Sequence, residues 1–356
     1  MVDCRMALSS GVGTYIRNII PLIEKKTACE FFFLGKREEL SAFSWCGPER
    51  AVSFETPLYS PLEHLVLHGL IKKMKPGLFW SPHYNAPLIG GVRRLTTIHD
   101  VFHISRQNVE WGGLKKSYAR LLLKAAMKRS ALVLTDSAFT LEEMRRYGLP
   151  CAEKARVVHL GVATPDKAGA GNAGSHFLFV GNVKPHKNLK RLIEAYAKAR
   201  LSGCPSLPLK IVGETDRFLT GEKGLPELAA SLGVKGEIEF TGRVTDSELE
   251  ALYLNAIALL FPSLYEGFGL PPLEAMARSV PVLASRAASL PEVCGDAALY
   301  CDPTNVDDIA SGIVTISRDE ALRPKLVQKG LERARLFTWE AAAEKTAEAI
   351  GEALAS

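Results

Sequence analysis

Strand-like and helix-like segments alternate along most of this 356-residue chain, and that alternation limits the possible folds more than any other feature. It argues for parallel sheets covered by helices. In the first half, 31–34, 78–80, 94–98 and 132–135 read as strands, and 15–26, 61–73, 113–129 and 141–147 as helices. A stretch rich in Gly and small residues, TPDKAGAGNAGS from Thr164 to Ser175, reads as a linker. A second series then begins. Strands are expected at 177–180, 209–212, 237–240, 258–261, 282–284 and 298–300. Helices are expected at 189–200, 225–232, 246–255, 271–278, 306–317, 320–334 and 339–355. The reading is two doubly wound α/β domains that bind ligand at the carboxyl ends of their strands, in a cleft between them. Their bounds are 1–165 and 177–335, with a linker over 166–176 and a last helix over 336–356 that returns toward the first domain. No internal repeat of 20–50 residues is present.

The length suffices for two such cores. With 47% apolar and 23% charged residues the composition is that of a soluble globular protein. No apolar run approaches 18 residues, and the N-terminus carries no apolar signal core. The 7 cysteines show neither CxxC nor zinc spacing, and read as reduced packing residues of a cytosolic protein. Charge is uneven: residues 1–170 hold 24 Lys and Arg against 15 Asp and Glu, the remainder 20 against 24. The first half is therefore expected to meet something anionic.

The densest motif runs from Tyr265 to Ala277, YEGFGLPPLEAMA. Gly267 and Gly269 let backbone N–H groups approach a ligand, and the Pro271-Pro272 pair suits a first helical turn. The N-terminus of that helix can seat a phosphate. Glu266 precedes this seat and Glu274 lies in or near the first turn. Carboxylates repel phosphate, so their presence needs another reason. Accepting hydrogen bonds from a sugar and from a ribose supplies it, which describes a nucleotide-sugar site.

Four further segments carry candidate chemistry, each beside a plainer reading. In SSGVGTY, Gly11 and Gly13 follow a short first strand and precede a helix, so the turn can cradle a phosphate; Gly-x-Gly alone is weak. His99, in TIHD at a strand end, reads either as a contact to sugar or phosphate or as a structural histidine. In VGNVKPHKNL, Asn182, Lys184 and Lys187 lie in a strand-to-helix loop where ammonium groups can neutralise a departing diphosphate; the alternative is a solvated basic turn. Asn188 is placed to cap the next helix. Arg243 and Val244, after another strand, can meet a base edge and face. The 113–129 segment carries Lys115, Lys116, Arg120, Lys124, Lys128 and Arg129 around leucines, and reads as a solvated helix face or as a surface for anionic membrane.

Together these motifs resemble glycosyltransferase family 4, retaining enzymes of GT-B fold, over nearly the whole length. The strongest piece is PSLYEGFGLPPLEAMARSVPVLAS from Pro262 to Ser285, followed by SLPEVCGDAALYCDP from Ser289 to Pro303. The flavour is similar to bacterial mannosyl- and rhamnosyltransferases of O-antigen or exopolysaccharide synthesis. The resemblance implies that Glu266, beside Gly267, Phe268 and Gly269, binds donor-sugar hydroxyls. Leu270 would offer its N–H to the diphosphate, Glu274 would hold the ribose, and Lys187 would bind phosphate. Gly11 would lie near the diphosphate and His99 near the sugar. Asn182 departs from the family pattern, which often has Arg there; Lys184 is then a second source of positive charge.

The implied reaction is retaining hexosyl transfer from a nucleoside-diphosphate sugar, with no metal or other cofactor. The acceptor is expected to be a saccharide or a polyprenyl-linked saccharide at the inner face of the membrane, and no nucleic acid is expected as partner. A sugar-nucleotide epimerase or hydrolase of similar shape, and a non-catalytic subunit that binds a sugar nucleotide, are the competing readings. An NAD-dependent dehydrogenase is disfavoured because Gly11 and Gly13 are not completed to GxGxxG.

Overall fold

The structure, a computed structural model, describes all residues except Ser10, Tyr59, 109–110, Cys151, 164–173 and 215–223. Most of the expected linker thus lies outside the described residues. The chain divides into two compact units, Met1–Gly161 with Thr338–Ser356, and Val162–Phe337. The C-terminal helix is counted with the first unit, and the second unit begins at Val162, ahead of the segment expected as a linker.

The first unit contains β1 (Val2–Asp3), α1 (Gly11–Ile23), β2 (Phe33–Gly35), α2 (Arg37–Leu40), β3 (Ala51–Ser53), α3 (Pro61–Met74), β4 (Leu78–Ser81), β5 (Arg93–Ile98), α4 (Gly113–Arg129), β6 (Leu132–Thr135), α5 (Ala138–Arg146) and β7 (Ala155–Val157). Its described strands form a parallel sheet in the order β3-β2-β1-β4-β5-β6-β7. The second unit follows with β8 (His176–Val180), α6 (Leu189–Leu201), β9 (Leu209–Val212), α7 (Leu225–Ser231), β10 (Ile238–Gly242), α8 (Asp246–Leu254), β11 (Ala256–Phe261), α9 (Leu270–Ala277), β12 (Val282–Ser285), α10 (Leu290–Cys294), β13 (Leu299–Cys301), α11 (Val306–Arg318) and α12 (Leu322–Ala334). Its sheet, also parallel, runs β10-β9-β8-β11-β12-β13. The last helix is α13 (Trp339–Ala355).

Each sheet reverses its winding once, between β1 and β4 and between β8 and β11. Right-handed crossovers then send helices to opposite faces on either side of the reversal. In the first unit α1 lies on one face and α3, α4 and α5 on the other. That would leave the α1 face bare over β4–β6, because every crossover on that side of the reversal runs over the other face. α13 fills the gap, packing on α1 and on β4, β5 and β6. In the second unit α11 covers the corresponding area beside α6, over β11–β13.

Both faces being covered, β11 at the centre of the second sheet is apolar throughout. Every residue of β11 is buried, and Phe179 stacks on Phe261 with ring centroids 5.9 Å apart. Helix starts are fixed by side chains where the sequence provides them. Asn305 Oδ1 accepts from the amides of Asp307 and Asp308 at 2.9 and 3.2 Å, and Thr245 with Glu248 closes a capping box.

The loops after β8 and β9 approach closely. Gly181 N donates to Val212 O at 2.9 Å and Gly213 N to Gly242 O at 3.0 Å. A Cβ on Gly213 would stand 1.9 Å from the Gly181 carbonyl oxygen, so a side chain there forces backbone to move. Gly213→Ala is expected to lower unfolding stability by about 2–3 kcal/mol, read as a reduced urea midpoint with an unchanged m-value.

Candidate active site

In open parallel sheets ligands bind outside the carboxyl ends of the strands where the winding reverses. In the second unit that point lies between β8 and β11, and the two loops leaving these strands carry the densest motifs. The β8 loop turns through a short 3₁₀ segment, Pro185–Lys187, and enters α6. The β11 loop runs from Pro262 to Gly269 and enters α9.

The two loops are tied together. Leu264 N donates to His186 O at 2.8 Å. Asn188 is buried, and its Nδ2 donates to Pro262 O at 2.9 Å and to Pro303 O at 2.7 Å. The expected cap is therefore corrected. Asn188 stands at the N-cap position, but with φ 66° and no side-chain bond to the helix backbone; its Oδ1 accepts instead from Arg191 Nη1 at 3.0 Å. The left-handed backbone, which Asn tolerates, turns its amide toward two carbonyls that would otherwise be buried without partners. The residue before it, Lys187, is thereby set against Glu266, with Nζ 2.7 Å from Oε1 and 2.9 Å from Oε2. Lys187 Nζ also lies 5.5 Å from the Phe261 ring centroid. Both charged side chains retain only 15% and 12% exposure.

α9 begins after Gly269, whose φ of 117° lies outside the range open to most side chains, and a Cβ there would stand 2.7 Å from Leu290 Cδ2. Pro271 and Pro272 follow Leu270 and have no N–H. Of the backbone donors that a helix start usually leaves unpaired, Gly269 and Leu270 supply those that remain before Leu273. Glu274 is the fifth residue of α9, just past the first turn, because the helix begins one residue earlier than expected. Its Oε2 accepts from Tyr253 OH at 2.8 Å, while Arg278 Nη1 donates to Glu274 O at 3.0 Å. Burial pushes the Glu274 carboxyl above its ordinary value, against the pull of Tyr253 and Arg278.

Asn182 and Lys184 lie half-buried in the β8 loop, and Phe268 is buried in the β11 loop. Arg243 is exposed and Val244 half-buried just after β10, which borders β9 at the sheet edge. The second unit thus brings Lys187, Glu266, Gly267, Phe268, Gly269, Leu270 and Glu274 onto adjoining segments. Gly11, Gly13 and His99 belong to the first unit.

The Gly-x-Gly segment there is not a loop. α1 starts at Gly11, so Gly13 is inside its first turn. A Cβ on Gly13 would meet Ala7 O at 2.6 Å, whereas one on Gly11 would meet nothing within 4 Å. Gly13 therefore allows a close backbone approach, and Gly11 leaves space in front of the helix.

His99, at the end of β5, uses both ring nitrogens within the unit. Nδ1 is 2.7 Å from Asp136 Oδ2 and Nε2 2.8 Å from Pro82 O, and Tyr15 meets the ring edge-on with centroids 5.0 Å apart. His103 is engaged elsewhere, 3.1 Å from Tyr84 OH and stacked on Trp111. Burial opposes protonation of His99, but Asp136 and the Pro82 carbonyl overcome it and raise the imidazole above its ordinary value. Burial also pushes Asp136 up, against the pull of His99. The His99 direction governs the pair: a carbonyl partner obliges Nε2 to donate, so the second proton stays between Nδ1 and the carboxylate.

The profile of "Glycosyl transferases group 1" matches residues 165–333, and that of "Glycosyltransferase Family 4" matches residues 9–165. O-antigen chain mannosyltransferase B of Escherichia coli is 38% identical over 46% of this chain, and the match covers 42% of that protein. O-antigen chain mannosyltransferase RfbU of Salmonella typhimurium is 32% identical over 71% of this chain and 69% of its own length. The chain belongs to glycosyltransferase family 4. Its fold is that of solved GT-B enzymes. Sucrose-phosphate synthase from Thermosynechococcus elongatus superposes with a TM-score of 0.81 at 19% identity, covering 97% of this chain and 94% of that one. Anabaena HepE, solved in complex with UDP-glucose, gives 0.78 at 17% identity, covering 98% of both chains.

Sequence reasoning about this family 4 chain missed three supporting residues: Asp136, Tyr253 and Ser289. Asp136 is 37 residues from His99 and Tyr253 is 21 from Glu274, and no local spacing links either pair. The His99–Asp136 pair has a pH signature. A group whose folded pKa is raised stabilises the fold fully below its unfolded pKa and loses that contribution as pH rises through the folded value. Stability should therefore fall as pH rises through the raised His99 value. Asp136→Asn should flatten this dependence and cost about 3 kcal/mol below it, because one partner of a buried pair is removed. Urea denaturation across pH 5–9 checks both.

Proposed function

We propose that the chain transfers a hexosyl residue, mannose favoured, from a nucleoside-diphosphate sugar to a hydroxyl of a saccharide or lipid-linked saccharide, with retention at the anomeric carbon, in O-antigen or other polysaccharide synthesis. The relatives named as O-antigen mannosyltransferases support the class of product. The observation that carries the reading is the Lys187–Glu266 pair, 2.7 Å apart at the winding reversal, beside the start of α9.

The donor pyrophosphate would sit on the amides of Gly269 and Leu270 and take up the Lys187 ammonium. Glu266 would then turn its carboxylate to the sugar hydroxyls, and Glu274 would hold the ribose. The anomeric C–O bond to the diphosphate breaks with its electron pair going to the phosphate oxygen. The acceptor oxygen bonds to the anomeric carbon from the same face, and its proton passes to that departing phosphate oxygen. Lys187 and the helix dipole stabilise the leaving group, so a fixed ammonium takes the place of a metal ion. Lys184 and Asn182 would border the diphosphate, and Arg243 and Val244 the base. His99, held by Asp136, would keep β5 and its loop in place within the first unit.

A panel of GDP, UDP, dTDP and their hexosyl derivatives, scored by the rise in melting temperature, tests this reading, because a ligand that binds only the native state stabilises it. At least one nucleotide should raise the melting point, and NMR of the product should show the donor's anomeric configuration. Lys187→Ala should cut kcat by about 10²–10³-fold, in the range for removing one group that stabilises developing charge, while the chain stays folded at the assay temperature. Near-native turnover would refute the role given to Lys187.

The acceptor is proposed to be carried on the inner face of an anionic membrane, with the protein cytoplasmic and peripheral. No helix among the described residues is long and apolar enough to cross a membrane. α4 contains no Asp or Glu, and along its outer face Leu114, Tyr118 and Leu121 are 90%, 41% and 61% exposed, among Lys115, Arg120, Lys124 and Lys128. Leu62, Leu65 and Val66 of α3, on the same side of the sheet, are also exposed. Each basic residue near an anionic surface contributes about 1 kcal/mol. Lys115→Glu, Lys116→Glu and Lys124→Glu together should lower partitioning onto phosphatidylserine vesicles by about 100-fold or more; unchanged partitioning rejects the membrane proposal.

A further inference from the structure

We infer that Ser289 is a positioning residue for the donor-binding loop, acting through the backbone of Glu266 and Phe268. The inference rests on the donor reading above. α10 is five residues long, and Ser289 stands at its N-terminus, fully buried, without a side-chain bond to the helix. Its Oγ lies instead 2.9 Å from Glu266 O and 2.6 Å from Phe268 O. One hydroxyl proton is shared between two carbonyls of the same loop.

This contact sets the direction of the amides that follow. A trans peptide is planar, and its N–H points opposite to its C=O; the described chain has no cis peptide. Holding the Phe268 carbonyl against Ser289 therefore turns the Gly269 N–H away from Ser289, and holding the Glu266 carbonyl does the same for Gly267. Gly269 matters most, because Pro271 and Pro272 remove two of the donors that a helix start would otherwise offer a phosphate. The seat depends on few amides, and the direction of each counts.

α10 is itself held from behind. Arg333 of α12 donates from Nε to Val293 O at 2.9 Å and from Nη2 to Glu292 O, which satisfies carbonyls at the carboxyl end of α10. The same guanidinium lies 5.0 Å from the Phe337 ring centroid, and Phe337 meets Phe268 edge-on with centroids 5.7 Å apart. Leu290, next to Ser289, occupies the space that a side chain on Gly269 would need. The loop thus rests on Ser289 and Leu290 from one element and on Phe337 from another.

The test uses the full chain and whichever of GDP, UDP or dTDP raises the native melting point most. Dissociation constants are measured by calorimetry for the native chain and for Ser289→Ala, Ser289→Thr, Ser289→Val and Lys187→Ala. Thr and Val match in shape and differ in the hydroxyl, so their comparison stands even if Ala disturbs folding. Ser289→Val is expected to bind about tenfold more weakly than Ser289→Thr, the size of one net hydrogen bond. Its donor KM should rise while its acceptor KM stays constant, which a general loosening of the fold would not produce. Amide exchange at Gly269 should be faster in Ser289→Val than in Ser289→Thr. Equal binding by the Thr and Val variants, beside weakened binding by Lys187→Ala, overturns the role of Ser289 and leaves the donor reading standing. A Lys187→Ala chain that binds every nucleotide as tightly as the native one overturns the donor reading, and this inference with it.

Discussion

The arrangement at the second sheet's winding reversal depends on one side-chain amide. Asn188 Nδ2 has two hydrogens, and both are used on carbonyls, Pro262 O from the β11 loop and Pro303 O from the segment after β13. Three connections that leave the sheet at the same end are joined by that group. Without it the two carbonyls would be buried without partners, at a cost of about 1–3 kcal/mol each. Asn188 makes both bonds from a left-handed backbone, φ 66°, which Asn tolerates better than most residues. Lys187, the preceding residue, is then carried against Glu266. A fold-stabilising contact and a site-forming contact are consecutive in the chain.

The two units solve one packing problem in the same way. A sheet that reverses its winding has each face covered on one side of the reversal only by the helices of its own crossovers. The exposed half must be covered by something else. α13 does this over β4–β6 in the first unit, and α11 over β11–β13 in the second. Small residues mark the contact where backbone comes close: a Cβ on Gly312 of α11 would stand 2.6 Å from Leu283 Cδ1 of β12. With both faces dry, the strand ends and their loops are where polar groups collect, and the candidate residues lie there.

The long periodic elements were legible because pattern and burial agree. β6, β9, α4 and α13 have the bounds the sequence suggested, and α6, α11 and β8 differ by one residue. What was not legible is short or stabilised at long range. β3 and β7 have three residues each, α2 four and α10 five, all below the length at which a period can be recognised. Ser289, at the start of α10, was therefore quoted only as part of a resemblance. Asn188 before a helix read as a cap because that is what local chemistry favours; its real partners are 74 and 115 residues away. His99 was left open between a ligand contact and a structural role. Its two internal partners explain why the ring is buried, and the reading of its role now rests on β5 rather than on an available nitrogen.

The pair of acids at the proposed phosphate seat poses an electrostatic problem that the structure answers differently for each. Glu266 is matched by a cation at 2.7 Å, so the pair is close to neutral as seen from a distance, and a diphosphate bound as proposed would exchange one anionic partner of Lys187 for another. Glu274 has no cation on its carboxyl oxygens among the bonds described. Oε2 is held by the Tyr253 hydroxyl, and burial favours the protonated form of the carboxyl. Arg278, whose guanidinium lies 5.2 Å from the Tyr253 ring centroid, bonds to Glu250 and to the Glu274 carbonyl, and its field draws the Glu274 pKa down without a direct ion pair. A carboxyl tuned in this way carries less persistent negative charge than an exposed one and still accepts a hydrogen bond when ionised. The two acids can therefore flank a phosphate seat because one is neutralised by a lysine that the diphosphate can share, and the other is shielded in the second turn of α9, where a neutral hydroxyl fixes its orientation.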